Sequence, residues 1–344
     1  MAAGKGERLH PITQDIPKAL IYIAGRTLLQ WSIKRLSDAG CTDIFIGTGW
    51  KGGMISNAVA EQSMGITATI HSVPVPSYEN GPLQTFCDTS IEVHSATNVL
   101  LPVDLIISSQ DVKSIIDMHP TSEHYAVTLA IDPSSDSGSD VSLSEDGHIL
   151  AINKEVSSSY RNAKSAMLLT FSPGFVDYCK FFLRRGAEKI FNVLNEMVWM
   201  IPQFNKACPP IHSYAVTTEW YDIDSVSEIL KANLYLLANL AGEGFQGIYV
   251  PPDDTMEFGD SIILANNISV ASGVELIGPC LIQADSTIGA DCVIGPNVSL
   301  DEHTQIESNA KIEDVVVFGS STISEGQQLS HVVVFKSKII REEK

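Results

Sequence analysis

Gly4 and Gly6 bracket Lys5 close to the amino end of the chain, Arg8 follows two residues later, and Lys18 ten residues after that. A GxG turn can aim successive backbone N–H groups at phosphate oxygens, because glycine tolerates the backbone angles such a turn needs. A nearby arginine and lysine add charge where a polyphosphate requires it, and reactions of phosphate esters are mostly a problem of charge placement. There is no third glycine for a dinucleotide fingerprint and no GK[ST] for a P-loop. A polyphosphate also needs a cation, and Mg2+ prefers a couple of carboxylates plus phosphate oxygens. Asp104 directly follows the apolar run Val99-Leu-Leu-Pro-Val103, which reads as a buried strand. An Asp at the C-terminal end of such a strand stands where open α/β sheets bind ligands.

The rest of the composition is that of an ordinary globular protein. The chain has 344 residues, 44% apolar and 18% charged, enough for roughly two domains. Its net charge of −19 argues against a general nucleic-acid binder. No apolar stretch is long enough for a membrane span and no signal peptide opens the chain, so the expected location is the cytoplasm. Within this acidic chain Lys5, Arg8, Lys18, Arg26, Lys34 and Arg35 crowd the first 35 residues against only Glu7 and Asp15. Of these, Arg26, Lys34 and Arg35 read as ordinary helix-surface charges. The six cysteines, Cys41, Cys87, Cys179, Cys208, Cys280 and Cys292, show no CxxC spacing and read as reduced thiols.

Strand and helix patterns alternate over residues 1–240. A helix is expected from Thr27 to Ala39, capped by Gly40, then a buried strand Ile44–Gly49. Further strands are expected at Val99–Val103 and Ala126–Ile131, helices at Ala187–Met200 and Val226–Leu240, and a loop over Ser134–Ser139. The alternation predicts an α/β domain with a mostly parallel, Rossmann-like sheet. Residues 241–258 read as a linker. Beyond it aliphatic or aromatic residues recur every six positions, at Leu264, Val270, Leu276, Ile282, Ile288, Ile294, Leu300, Ile306, Ile312 and Phe318. A six-residue period is the signature of a parallel β-helix whose triangular coil takes three hexapeptides. Residues 259–344 should therefore form such a helix, with about three coils and Leu264, Ile282, Leu300 and Phe318 stacked on one face. Its open coil end favours packing against another subunit, hence a homo-oligomer.

The opening string Ala2-Ala-Gly-Lys-Gly-Glu-Arg-Leu-His-Pro11, with Thr13 and Ile16-Pro-Lys-Ala-Leu20, resembles the pattern AAGxGxRLxPxTxxxPKxL. That pattern belongs to the nucleotidyltransferases that make NDP-sugars from an NTP and a sugar 1-phosphate, and the left-handed hexapeptide β-helix is a companion domain of that family. The resemblance implies that the backbone from Ala3 through Gly4, Lys5 and Gly6 wraps the NTP phosphates. Arg8 would clamp the departing pyrophosphate, and Lys18 would hold the phosphates in line. It implies Mg2+ held by Asp104 and by Asp222 of Trp220-Tyr-Asp-Ile-Asp224, which is similar to W-x-D-[IT]-G. Gly81-Pro-Leu-Gln-Thr85 resembles the base-side P-L-G-T, making Gln84 and Thr85 NTP contacts. On the sugar side Asn153-Lys154 stands for Glu-Lys, Ser165-Ala-Met167 for Asn-Ala-Gly, and Ser139-Asp140 for Tyr-Gly. Asp140, Asn153, Lys154 and Ser165 are thus the implied sugar-phosphate contacts, with Lys154 meeting the phosphate.

Glycines of the family pattern are side chains here at Asp140, Met167 and Asp224, which adds bulk or charge where backbone would approach a ligand. Either the sugar is unusual, or the chain is a weak or inactive relative retained as an interaction subunit. A second activity, acetyl transfer in the β-helix, would have to use His303 or His331 as its base, and neither has the setting for it. The family also places an apolar strand before the glycine-rich loop. The chain starts at Met1-Ala-Ala-Gly4, so the expectation is that Met1 is an internal methionine of a longer reading frame.

Overall fold

The computed structural model describes residues 2–60, 66–90, 95–154, 161–204, 211–240, 248–250 and 262–342. Cys208, and most of the expected linker 241–258, lie outside them. The chain divides into two compact units, one of residues 1–5, 16–19 and 29–222, the other of residues 6–15, 20–28 and 223–344. Where sequence divides the chain at 240, the units divide before residue 223, so the helix Val226–Ala238 groups with the C-terminal unit.

The first unit is a mixed α/β structure. The helix Leu28–Asp38 buries Leu28, Leu29, Trp31 and Ile33, and ends where Gly40 takes φ +92°. Arg35 is not the surface charge its position predicts. It is buried, with its guanidinium 4.8 Å from the Trp31 ring centre, and in the second unit Arg26 is buried as well. Long cationic side chains are retained inside when their stems cover apolar surface. Lys34 does lie on the helix surface, paired with Asp38 at 2.8 Å.

Instead of a mostly parallel sheet, the pairings among described residues are mixed. The strand Asp43–Thr48 runs parallel to Thr69–Pro74, and His212–Ala215 parallel to Val127–Asp132. The eleven-residue strand Arg161–Phe171 lies antiparallel to Asn98–Leu100, Val127–Asp132 and Ser139–Leu143. Its length lets it serve as the common partner, with a register break between Ser165 and Leu169 at Met167, which adopts φ +61°. Phe86, Phe171 and Phe175 meet in the core beneath it. The expected strand Val99–Val103 is shorter than its apolar run. It ends at Leu100, and Asp104 sits immediately before a second short strand, Leu105–Ile106. Pro102 lacks an N–H for a ladder, which explains the interruption.

Between Asp43–Thr48 and Asn98–Leu100 lies a cavity of about 600 Å3, lined by Ile44, Ile46, Val99, Leu101, Phe86 and Ile33 among others. Ala2 stands at its margin and makes a single parallel bridge to Thr48. Polar groups in the lining, Thr42 and Asn98 among them, give water a foothold there.

The second unit is built on a parallel β-solenoid of about four coils. Cys280–Ile282 pairs with Val298–Leu300, and Val293–Ile294 lies between Glu275–Leu276 and Lys311–Ile312, all in parallel register. Ile282, Ile288, Ile294, Leu300, Ile306 and Ile312 fill the interior. The first coil is the wetter one, with Val270 45% exposed. One expectation is corrected. Leu300 stacks on Val317, not Phe318, because the next coil takes one residue fewer. Val315 and Val317 therefore point inward, while Phe318 turns outward to stack with Tyr22 and Phe335. The long pair Lys311–Phe318 and Gln328–Phe335 adds the coil that the six-residue count leaves out. Buried Asn233, on the helix Val226–Ala238, donates to Asn297 O and accepts from Ser299 Oγ and Ala24 N. It thereby fixes both the helix and the 20–28 segment to the solenoid. Cys41, Cys87, Cys179, Cys280 and Cys292 are free thiols, and burial raises Cys41 and Cys87 to about 11 and Cys280 to about 12.

Candidate active site

Two short strands of the first unit bring distant carboxylates together. Tyr221–Asp222 pairs antiparallel with Leu105–Ile106, so that Asp222 lies opposite Leu105, the neighbour of Asp104. Asp104 and Asp222 belong to an acidic cluster whose carboxylate oxygens lie within 4.8 Å of one another. The Lys18 ammonium is 2.6 Å from Asp104 Oδ2, its side chain only 11% exposed. Two half-buried carboxylates at that separation repel each other and attract a divalent cation, and the lysine beside them reduces that repulsion only in part. Carboxylate oxygens of this number and spacing fit Mg2+ or Mn2+, which complete their shell with water and phosphate oxygens.

Around the glycine-rich turn, Ala2 N–H donates to Gly47 O and Trp50 N–H to Ala3 O. A Cβ on Gly4 would meet nothing within 4 Å, so open space faces this turn. Gly49, not singled out from sequence, is needed for packing. A Cβ there would sit 2.7 Å from Ala3 O and 2.5 Å from Tyr78. Lys5 pairs with Glu79 at 2.8 Å and stands 5.9 Å from the Trp50 ring centre. Gln84 donates to Asp88, while Thr85 is buried against Gly47.

In the second unit Gly6 takes φ +65°, and its carbonyl accepts from Leu9 N–H and Thr13 Oγ1. Arg8 on the same turn is ion-paired with Asp224. The side chain that replaces a family glycine thus engages the arginine expected to meet pyrophosphate. His303 and His331 stand at solenoid turns, 4.0 Å from Asp285 and 3.2 Å from Asp314.

The sugar-side positions split into two groups. Asp140 N–H donates to Asn153 Oδ1, Asn153 Nδ2 donates to Ser139 Oγ, and Asp140 pairs with Lys164 at 2.9 Å. Lys154, next to Asn153, is exposed. Ser165, by contrast, is fully buried and accepts from Met167 N–H. Its hydroxyl therefore holds the Met167 bend in place of contacting solvent.

One residue that sequence reading did not single out dominates the polar interior. Asp111 is 0% exposed. Its Oδ1 accepts from Tyr214 Oη at 2.7 Å, Thr217 N at 2.8 Å and Thr217 Oγ1 at 2.8 Å. Oδ2 accepts from Ser108 Oγ and Thr218 Oγ1. Burial pushes its pKa up, but the bonds from Thr218, Tyr214 and Thr217 outweigh that and hold it below the ordinary value. Nearby, Trp220 Nε1 donates to Asp132 Oδ2 at 3.0 Å.

Comparison with known proteins matches residues 1–139 to the family model described as nucleotidyl transferase, and residues 276–343 to the GMPPB C-terminal domain. The chain carries a nucleotidyl transferase domain. This nucleotidyl transferase domain contains the glycine-rich turn, Lys18 and Asp104. N-acetylmuramate alpha-1-phosphate uridylyltransferase of Neisseria meningitidis serogroup B is 43% identical over 63 residues, 18% of this chain and 27% of that protein. The match therefore spans about a quarter of that relative's length. A mannose-1-phosphate guanyltransferase of Gibberella zeae is 22% identical over 76% of this chain and 70% of its own. The structure of UDP-glucose pyrophosphorylase from Acinetobacter baumanii superposes with a TM-score of 0.56 at 17% identity, covering 70% of this chain and 92% of that one. That likeness establishes the nucleotidyltransferase-like fold.

Proposed function

We propose that the chain transfers a nucleotidyl group from an NTP to a sugar 1-phosphate, releasing pyrophosphate. The observation that carries this reading is the meeting of Lys18, Asp104 and Asp222, the first two of them within the residues that match the nucleotidyl transferase family. A phosphate oxygen of the sugar phosphate attacks the α-phosphorus of the NTP. The bond from that phosphorus to the oxygen bridging the α- and β-phosphates breaks, and pyrophosphate takes the electron pair. No general base is required, because the nucleophile is already an anion at neutral pH.

Asp104 and Asp222 would hold Mg2+, which when bound neutralises charge on the reacting phosphates. Lys18 holds Asp104 and the α-phosphate in one geometry, and the Gly4 turn and Arg8 receive the leaving pyrophosphate. Lys154 meets the sugar phosphate, with Asp140 and Asn153 beside it, while Gln84 and Thr85 stand on the base side. Ser165, buried as it is, supports this wall from behind. Mannose 1-phosphate with GTP is the leading substrate pair, supported by the C-terminal domain match and by the guanyltransferase relatives. The protein works in the cytoplasm as a homo-oligomer joined through its solenoid.

A matrix of four NTPs against mannose, glucose and N-acetylmuramate 1-phosphates, read by pyrophosphate release with Mg2+, tests this. Turnover in one row and column is expected; silence in every cell rejects the enzyme reading. The Arg8–Asp224 pair favours a second reading, in which the chain is a non-catalytic subunit whose phosphate-binding arginine is occupied internally. Thermal stabilisation by NTP and Mg2+ distinguishes the two, since a ligand stabilises the state it binds.

A further inference from the structure

The pairing that sets Asp222 opposite Leu105 is only two residues long on each strand. So short a ladder is marginal in water and does not by itself fix two carboxylates in space. Something else must hold the Asp104 segment against the Asp222 segment, and the buried Asp111 carboxylate is placed to do it.

Asp111 lies in the first turn of the helix Ser109–Met118, directly after the strand that follows Asp104. Its acceptors take donors from both sides of the joint. Ser108 belongs to the Asp104 side, and Tyr214, Thr217 and Thr218 to the segment that leads into Asp222. Trp220, buried just before Tyr221–Asp222, donates its indole N–H to Asp132. A carboxylate accepting this many hydrogen bonds inside the core is a stiff connector, because loss of any one leaves a buried polar group without its partner.

We infer that Asp111 is a positioning residue for the metal-binding pair, setting the separation of Asp104 and Asp222 through the Thr217–Thr218 segment without touching the cation itself. The inference rests on the reading of Asp104 and Asp222 as metal ligands. Residues that orient metal ligands typically account for about 10- to 100-fold in metal affinity.

The test is Mn2+ binding by the full chain, followed by the loss of the free-ion EPR signal, with thermal unfolding measured in parallel. Asp111→Asn preserves shape and lets the Ser108 and Thr218 hydroxyls rotate to accept, so it is expected to fold while weakening Mn2+ about ten-fold. Tyr214→Phe and Thr218→Val, each removing one donor, should weaken it by less. Val193→Ala, in the core of the same unit on a helix that carries none of these residues, loses stability without touching the joint and should bind Mn2+ as the parent does. Parent-like Mn2+ affinity in Asp111→Asn, with binding lost in Asp222→Asn, overturns the inference and leaves the metal reading standing. Equal weakening in Val193→Ala also overturns it, because the effect would then follow stability alone. A parent chain that binds no Mn2+ sinks both.

Discussion

The two units keep their interiors in different ways. In the solenoid, aliphatic side chains stack coil upon coil, and Ile294 lies in register between Leu276 and Ile312 with nothing polar near it in the column. The first unit buries Asp111, His119 and Asn195 and holds a cavity of about 600 Å3. A repetitive core is easy to close and offers little chemistry. A core with charged and empty places is harder to close, and it is the one in which Asp104 and Asp222 meet.

The sharpest way to break this contrast is to separate chemistry from stability. Asp104→Asn is expected to lower turnover by about 10²-fold or more, by analogy with loss of a transition-state contact, while the unfolding temperature changes little. A large fall in unfolding temperature would make Asp104 a structural member of its unit instead. Ile294→Ala should do the reverse, costing about 2–5 kcal/mol in the solenoid, seen as a lower-temperature calorimetric transition. NTP binding at 20 °C should survive it.

Acidification should destabilise the first unit. Burial holds the His119 imidazole neutral, its pKa lowered from 6.5 to about 4. Its nitrogens are within hydrogen-bonding reach of the Thr128, Thr170 and Ser172 hydroxyls. Between those two pH values the unfolded chain binds a proton that the folded chain does not, so stability falls as pH drops through that window. Denaturant midpoints from pH 7 to pH 4 should record the fall, and His119→Gln, less stable at neutral pH, should show a shallower one. The smallest effect is expected at Asp224. Asp224→Asn releases Arg8 from its partner and should lower the KM for NTP about two- to five-fold, in the range of an exposed ion pair. An unchanged KM would mean that Arg8 does not meet the nucleotide.

How readily each feature is read from sequence follows from how far apart its partners lie. A solenoid residue meets its neighbour one coil away, so a six-residue period exposes the whole interior. The count fails where the coil shortens, at Val317 and Phe318, and in the first coil, where Val270 is 45% exposed. The glycine-rich turn is likewise a local string. Asp104 was marked by its apolar run, but Pro102 ends the strand early, and Asp104 stands between two strands instead of at the tip of one. Asp111 gave only a Ser108-x-x-Asp111 capping pattern, which explains a helix start and nothing more. Its other partners, Tyr214, Thr217 and Thr218, are more than 100 residues away. No spacing rule joins such positions. The Arg8–Asp224 pair was equally invisible, although the departure from the family glycine marked one half of it.

The open space beside Ala2 has a mechanical consequence. Hydrostatic pressure favours whichever state has eliminated internal voids, and the volume change of unfolding scales with the void that is lost. The α/β unit, with its hollow between Ile46 and Val99, should therefore be the soft half of this molecule. Under compression it should come apart first, while the close-stacked coils of the other half remain folded.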